Sequence, residues 1–345
     1  MGKRSKNYIG LIKVRKEDKL SKIFLEDNPE LIPIYLAGFV DGCCTICIRA
    51  KSNGKRLIPT VDVQNISACL TEYLCKKYKY KLSNCEKDLF QISGIKAYYF
   101  IKGIYPYLLR LKNLAKYILV FGLERNWDNY SMYENATTYR KTLTLERLKR
   151  ELNLAISIRS KNQTKSGRKI EDLKKLIQYY KDIFNEDPKI INIIDESNNN
   201  ELHYIFYERE EGKKFTERQL VYIAGYFDSK RSFSFKNTIP EVKLYKKGNK
   251  KISEFIKDKY EKNSICFLDG YKAIDLTKKV YDFLITNKDK AYYLLDWYNN
   301  IGNEKKQYEI IYKSLINYPY EQGNHSKSLQ ILKKRYKNRF GIELT

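Results

Sequence analysis

The chain has 345 residues, room for two ordinary domains or for one domain built of two halves. Hydrophobic residues make up 43% and charged residues 31%, a globular composition with enough apolar side chains for a full core. Lys and Arg total 66 against 41 Asp and Glu, a net charge of +25 that needs a polyanion to neutralise it, while no apolar run approaches a bilayer span, so nucleic acid is the expected partner and a membrane is not.

In chain order, residues 1–29 form a basic extension. Glu17 and Asp18 interrupt its charge and Ser is scarce, so it makes a poor transit peptide, and it lacks the apolar stretch of a secretory signal. Residues 35–46, YLAGFVDGCCTI, read as an apolar helix running into a strand. The alternation in Thr45–Lys51 puts Cys47, Arg49 and Lys51 on one face and Ile46, Ile48 and Ala50 on the other. Leu57–Gln64 is a second strand, with Thr60, Asp62 and Gln64 alternating with Val61 and Val63. An amphipathic helix begins near Cys69, a strand runs from about Asp88 to Ser93, and residues 105–119, YPYLLRLKNLAKYIL, read as a closing helix. Residues 140–217 read as two helices around the basic loop Arg159–Lys169, followed by the polar stretch Asn198–Asn200.

The pattern then recurs. Residues 222–233, YIAGYFDSKRSF, align without a gap on residues 35–46 and share Tyr, Ala, Gly and Asp at fixed positions. Ser232, Ser234 and Lys236 alternate with Phe233 and Phe235; Lys243, Tyr245 and Lys247 alternate with Val242 and Leu244. A helix from about Lys250, a strand at Ile265–Leu268 and a closing stretch at 281–295, YDFLITNKDKAYYLL, follow. A helical extension occupies 303–345.

The seven cysteines, an odd number, read as reduced and buried. Cys44 and Cys47 are spaced C-x-x-C, but the strand turns their side chains to opposite faces. Cys69 and Cys75 have the wrong spacing for a second zinc pair, and His203 and His325 are remote. No metal, cofactor or small-molecule substrate is expected. With two distant His residues there is no histidine triad, and no Gly-rich phosphate loop is present. The scattered Glu and Asp read as surface partners for the many Lys and Arg.

The repeated Y-[LI]-A-G-[FY]-x-D followed by a strand resembles the motif of the LAGLIDADG homing endonucleases and intron maturases. The resemblance covers roughly residues 30–125 and 215–300, in halves bounded at 30–139 and 218–302, with 140–217 an inserted basic helical linker. It implies an α+β fold of two pseudo-symmetric α-β-β-α-β-β-α halves, a saddle of antiparallel sheets with the motif helices packed at its centre. Ala37, Gly38 and Gly42, matched by Ala224, Gly225 and Ser229, are small residues that let two helix backbones approach closely. The polar strand faces then become a contact surface for phosphates and bases, with Arg49, Lys51, Gln64, Lys230, Arg231, Lys236, Lys243, Tyr245 and Lys247 as its expected contacts.

In the family, an acid at the eighth motif position of each half holds the divalent metal that activates water. Here those positions are Cys43 and Lys230, a thiol and a cation where a hard metal wants oxygen. The earlier motif acids, Asp41 and Asp228, are mainly structural in the family, placed to accept hydrogen bonds from nearby backbone amides. The expectation is therefore a protein that is not an enzyme and binds structured RNA, an rRNA or an intron RNA, with neighbouring ribosomal proteins as further partners. Its expected setting is the mitochondrial matrix, as a ribosomal protein and an organelle-encoded product, in keeping with its abundance of residues specified by AT-rich codons. The alternatives are a group I intron maturase, a divergent endonuclease using Asp41 and Asp228, and a DNA-binding regulator.

Overall fold

The computed structural model describes residues 27–51, 56–64, 66–79, 89–130, 144–162, 167–193, 214–230, 232–236, 238–244, 250–260, 267–318 and 325–344. The chain divides into two compact units, one of Glu30–Glu208 and one built on Arg209–Thr345. The fold is α+β, and each unit carries a three-stranded antiparallel sheet. Among the described residues no helix is long and apolar enough to cross a membrane.

The first unit opens with α1 (Ile32–Cys43), which is apolar almost all round and correspondingly buried; Pro33 in its first turn sits where a missing N–H costs nothing. Strands β1 (Thr45–Lys51) and β2 (Arg56–Gln64) follow, then α2 (Ala68–Tyr78), β3 (Leu89–Ser93), α3 (Ile95–Ile104) and α4 (Lys112–Glu124). β2 is the central strand, with Ile48 opposite Pro59 and Val61 opposite both Ile46 and Ile92. Ile46, Ile48, Val61 and Ile92 make the inward face and are fully buried. The second unit repeats the order: α7 (Glu217–Lys230), β4 (Phe233–Lys236), β5 (Ile239–Lys243), α8 (Lys250–Tyr260), β6 (Phe267–Asp269), α9 (Gly270–Val280) and α10 (Lys288–Asn299). Its central strand is β5, with Phe235 opposite Pro240.

The two sheets correspond residue by residue. Pro59 and Pro240 occupy the same register position, one residue before the central strand meets its third partner at Thr60 and Glu241. A proline is tolerated there because no ladder donor is required of it. Gly94 and Gly270, just past the third strand of each sheet, both take positive φ (67° and 57°), the backbone that turns the chain from strand into helix. The second strand of the later pair in each half, which the sequence pattern does not place, is not found among the described residues.

Two expected elements are corrected. Residues 105–119 are not one helix: a 3-10 turn at Tyr105–Tyr107 ends at Leu108, which is extended, and α4 starts only at Lys112. Residues 281–295 break likewise, with a 3-10 turn at Tyr281–Phe283 and α10 beginning at Lys288. Apolar periodicity runs through both breaks, but the amides at the breaks are held by tertiary partners, described below. The helix that precedes each turn, α3 and α9, was not anticipated.

Between the repeats, α5 (Leu145–Lys161) and α6 (Gly167–Phe184) form an antiparallel pair within the first unit. Thr144 caps α5 through the Arg147 amide. The end of α5 closes the open edge of β1: Asn162 Nδ2 donates to the Ile46 carbonyl (2.6 Å) and Arg159 Nε to that of Ile48 (3.1 Å). An edge carbonyl left bare is a template for foreign strands, and these two are covered. In the second unit, α11 (Glu304–Asn317) and α12 (His325–Phe340) follow α10.

Gly122 of α4 lies flat against the Tyr98 ring, which is itself fixed because its hydroxyl donates to Asp128 (2.5 Å). A Cβ on Gly122 would overlap that ring. Gly122→Ala is expected to lower stability by about 2 kcal/mol through overpacking, outweighing the gain in helix propensity. Chemical denaturation checks it; an unchanged midpoint would mean that the ring moves aside freely.

Candidate motif site and nucleic-acid interface

Asp41, near the end of α1, is fully buried. Its carboxylate accepts the amide of Leu109 (2.6 Å) and that of Arg110 (3.1 Å) on one oxygen, and the Leu111 amide (2.8 Å) on the other. These are the amides left without partners ahead of α4, so Asp41 caps that helix from across the unit. Arg110 answers in the other direction, donating through Nε to the Asp41 carbonyl and through Nη2 to that of Cys44 (3.4 Å), at the exposed end of the α1 backbone ladder.

The second unit builds the same lock with different residues. Buried Asp228 accepts the amides of Ile285 and Asn287, both at 2.6 Å. The side chain of Asn287 donates to the Phe227 (3.0 Å) and Asp228 (2.9 Å) carbonyls, standing where Arg110 acts in the first unit. Both motif carboxylates are thus committed to backbone amides, and this is why the expected closing helices are broken.

Immediately beyond each lock lies a buried lysine that sequence reasoning missed. Lys112 rests over the Tyr105 ring (5.3 Å) and Lys288 over the Tyr281 ring (5.1 Å). Burial pulls the Lys288 ammonium below its usual range, against the pull of Asp282 and Asp228 in the other direction. The signal was present: YPYLLRLK and YDFLITNK, set in register, both have lysine at the eighth position.

The replaced motif positions differ in surroundings. Cys43 is half-buried, its thiol donating to the Gln64 carbonyl (3.0 Å) and lying 3.8 Å from the Cys44 sulfur. Burial, and then Cys43 itself, push the Cys44 thiol well up. Lys230 is the half-buried last residue of α7. Ala37, Gly38, Gly42, Ala224, Gly225 and Ser229 are all buried, and the Ser229 hydroxyl donates to the Tyr226 carbonyl (2.7 Å).

The outward face of the first sheet is an organised polar layer. Arg49 donates to Asp62 (2.5 Å), and Gln91 donates to the other carboxylate oxygen (2.8 Å). Burial opposes the Arg49 charge, but Asp62 holds its pKa above the ordinary value. Burial, and then the Asp62 charge, raise the Cys47 thiol. Burial lowers the Arg159 guanidinium at the neighbouring edge. Thr60 and Asp62, expected to face outward, do so but are themselves buried under this layer, while Gln64 is exposed.

On the second sheet, Lys236 is exposed with its ammonium 4.6 Å from the Phe267 ring centre. Lys243 is half-exposed, 4.0 Å from Glu241, which also accepts from Ser234 (3.3 Å). Arg49, Gln64, Lys236 and Lys243 therefore occupy outward sheet positions. Lys51 lies in β1 with its side chain outside the described residues, as are Arg231, Tyr245 and Lys247 entirely.

A motif helix, two strands, a helix, a further strand and paired closing helices, with the motif carboxylate locking the last, occur twice in this chain. This twofold order fits the α+β halves that the resemblance to the LAGLIDADG motif implies. No family model and no curated protein matches the sequence. Among solved structures it is similar to the LAGLIDADG homing endonuclease I-GzeII in complex with its DNA target, at 12% identity and TM-score 0.48, covering 89% of this chain and 97% of that one. It is also similar to the LAGLIDADG meganuclease I-AabMI bound to uncleaved DNA, at 11% identity and TM-score 0.47, covering 88% and 98%.

The expectation that the chain is not an enzyme is corrected: the replaced motif positions do not establish it, and both of these solved structures are endonucleases. The physical reason is that Cys43 and Lys230 define only which ligands are missing at two positions. They do not define the chemistry available to the remaining carboxylates and cations of the surface.

Proposed function

We propose that this chain binds structured RNA through the outward faces of its two sheets, within an organellar ribonucleoprotein, most specifically as a component of a mitochondrial ribosome. The observation that carries the reading is the pair of outward sheet faces. Each presents cations among polar groups: Arg49, paired with Asp62, in one unit, and in the other Lys236 beside the Phe267 ring and Lys243 4.0 Å from Glu241, on a chain of net charge +25. Cations supply phosphate contacts and the polar groups between them supply base or ribose contacts. The helices added to each half, α5–α6 and α11–α12, support a broad, lasting RNA contact.

The test is crosslinking in the native organelle, followed by sequencing of the attached nucleic acid. Crosslinks at a few fixed positions of ribosomal RNA, with co-sedimentation in ribosomal particles, are the expected result. Crosslinks dominated by intron RNA or by a DNA site, with the ribosome fraction empty, would overturn it. Purified protein titrated with a structured RNA and with duplex DNA, with and without Mg²⁺, reads affinity and strand scission in the same reactions.

A further inference from the structure

Helix α12 lies beyond the repeated halves. Its 16 residues carry Lys327, Lys333, Lys334, Arg335, Lys337 and Arg339 and no carboxylate. One face is already used: Leu332 and Tyr336 are buried, and the Tyr336 and Phe340 rings lie 6.0 and 5.8 Å from that of Tyr308 in α11 and 4.8 Å from each other. The far end is anchored by ion pairs of Arg339 with Glu304 (2.9 Å) and Lys337 with Glu343 (3.0 Å). Lys333 rests over the Tyr312 ring at 5.2 Å. Lys327, Lys334 and Arg335 are left exposed, and no ion pair among the described residues involves them.

The helix sets the spacing of these three residues. Lys327 and Lys334 are seven residues apart, two helical turns or about 10 Å along one side, and Arg335 adjoins them. Arg335 also lines a groove with Ile331, Ile311, Leu315, Phe235 and Thr238. The last two belong to the β4–β5 hairpin, whose first strand ends in the exposed Lys236. The cationic side of α12 therefore begins beside the end of the second sheet.

We propose that α12 is a second phosphate-binding surface, receiving the backbone of a nucleic acid whose adjoining stretch lies on the β4–β5–β6 sheet. The inference rests on the nucleic-acid reading above and adds the place where the ligand leaves the sheet. Like charges gathered without carboxylates are stabilised by a polyanion that releases counterions on binding. A membrane-surface helix would instead need its apolar side free to enter the lipid. Here α11 covers that side, leaving Ile331 as the one exposed large apolar residue of α12 among the described residues.

The experiment compares the full chain with the triple variant Lys327→Gln, Lys334→Gln, Arg335→Gln, titrating a structured RNA and a duplex DNA across salt concentrations. Loss of three phosphate contacts should reduce the slope of log K against log salt by about two units and weaken binding ~10- to 100-fold at low salt. The charge-keeping variant Lys327→Arg, Lys334→Arg, Arg335→Lys should retain the slope, which separates charge from folding. A triple variant with unchanged slope and affinity overturns the α12 assignment while the nucleic-acid reading stands. If the native chain binds neither nucleic acid, both fall. Binding to phosphatidylserine vesicles that the Gln substitutions abolish, with the nucleic-acid slope untouched, would assign α12 to lipid instead.

Discussion

Replacing Asp41 by Asn should destabilise the chain by about 3–5 kcal/mol, a large part of the ~5–15 kcal/mol that holds most domains together. The carboxylate accepts three backbone amides at 2.6–3.1 Å and is fully buried, so water cannot stand in for it. Hydrogen bonds to a charged acceptor are worth ~1.5–3 kcal/mol each, and an orphaned buried donor costs a similar amount. An Asn keeps one acceptor oxygen but turns an NH₂ group toward amides that also donate. The damage should spread, because the Leu109–Leu111 segment fixes the start of α4 and hence Lys112. Asp228→Asn should behave alike, somewhat more mildly, with two amides rather than three at stake. Urea titrations of both variants measure this. A loss below about 1 kcal/mol for Asp41→Asn would show that the lock is not what holds the helix start.

Glu151→Gln should cost about 3–5 kcal/mol by a different route. Glu151 of α5 has a side chain only 1% exposed and receives both Arg125 (2.9 and 2.7 Å) and Arg147 (3.2 Å). The Arg125 guanidinium also lies 4.4 Å from the centre of the Phe121 ring. Removing that buried negative charge leaves two guanidiniums without their shared partner in a partly dry site, where the penalty is the unpaired charge and not merely a lost contact. Because Arg125 follows α4 and Glu151 lies in α5, the loss should also loosen α5 from the first sheet. Faster hydrogen exchange of β1 would accompany the fall in stability; a variant as stable as the native chain, with β1 protection intact, would dismiss this account.

Glu151 illustrates what the sequence hides. Among scattered acids it reads as one more surface partner for lysine and arginine, and only the approach of α4 buries it. The capping pair of Thr216 and Gln219, each bonding the other's amide (3.3 and 3.0 Å), was by contrast open to view, since T-x-x-Q before an apolar run is a helix start. Lys112 and Lys288 were equally visible in the aligned closing segments, yet a lysine inside a helical pattern reads by default as solvated.

The repeat, the helix–strand–strand order, the inward faces of β1, β2, β4 and β5 and the α+β class were settled by local information. Period-2 alternation and a duplicated motif survive in the linear order because each depends on neighbours a few residues apart. The breaks after Tyr105 and Tyr281, the burial of Glu151 and the closure of the β1 edge by Arg159 and Asn162 depend on partners 26 to 116 positions away. No pattern in the segments themselves records those partners. Apolar periodicity continues straight through Leu108–Leu111, and the helix stops there because the Asp41 carboxylate, brought in by tertiary packing, takes the amides ahead of α4.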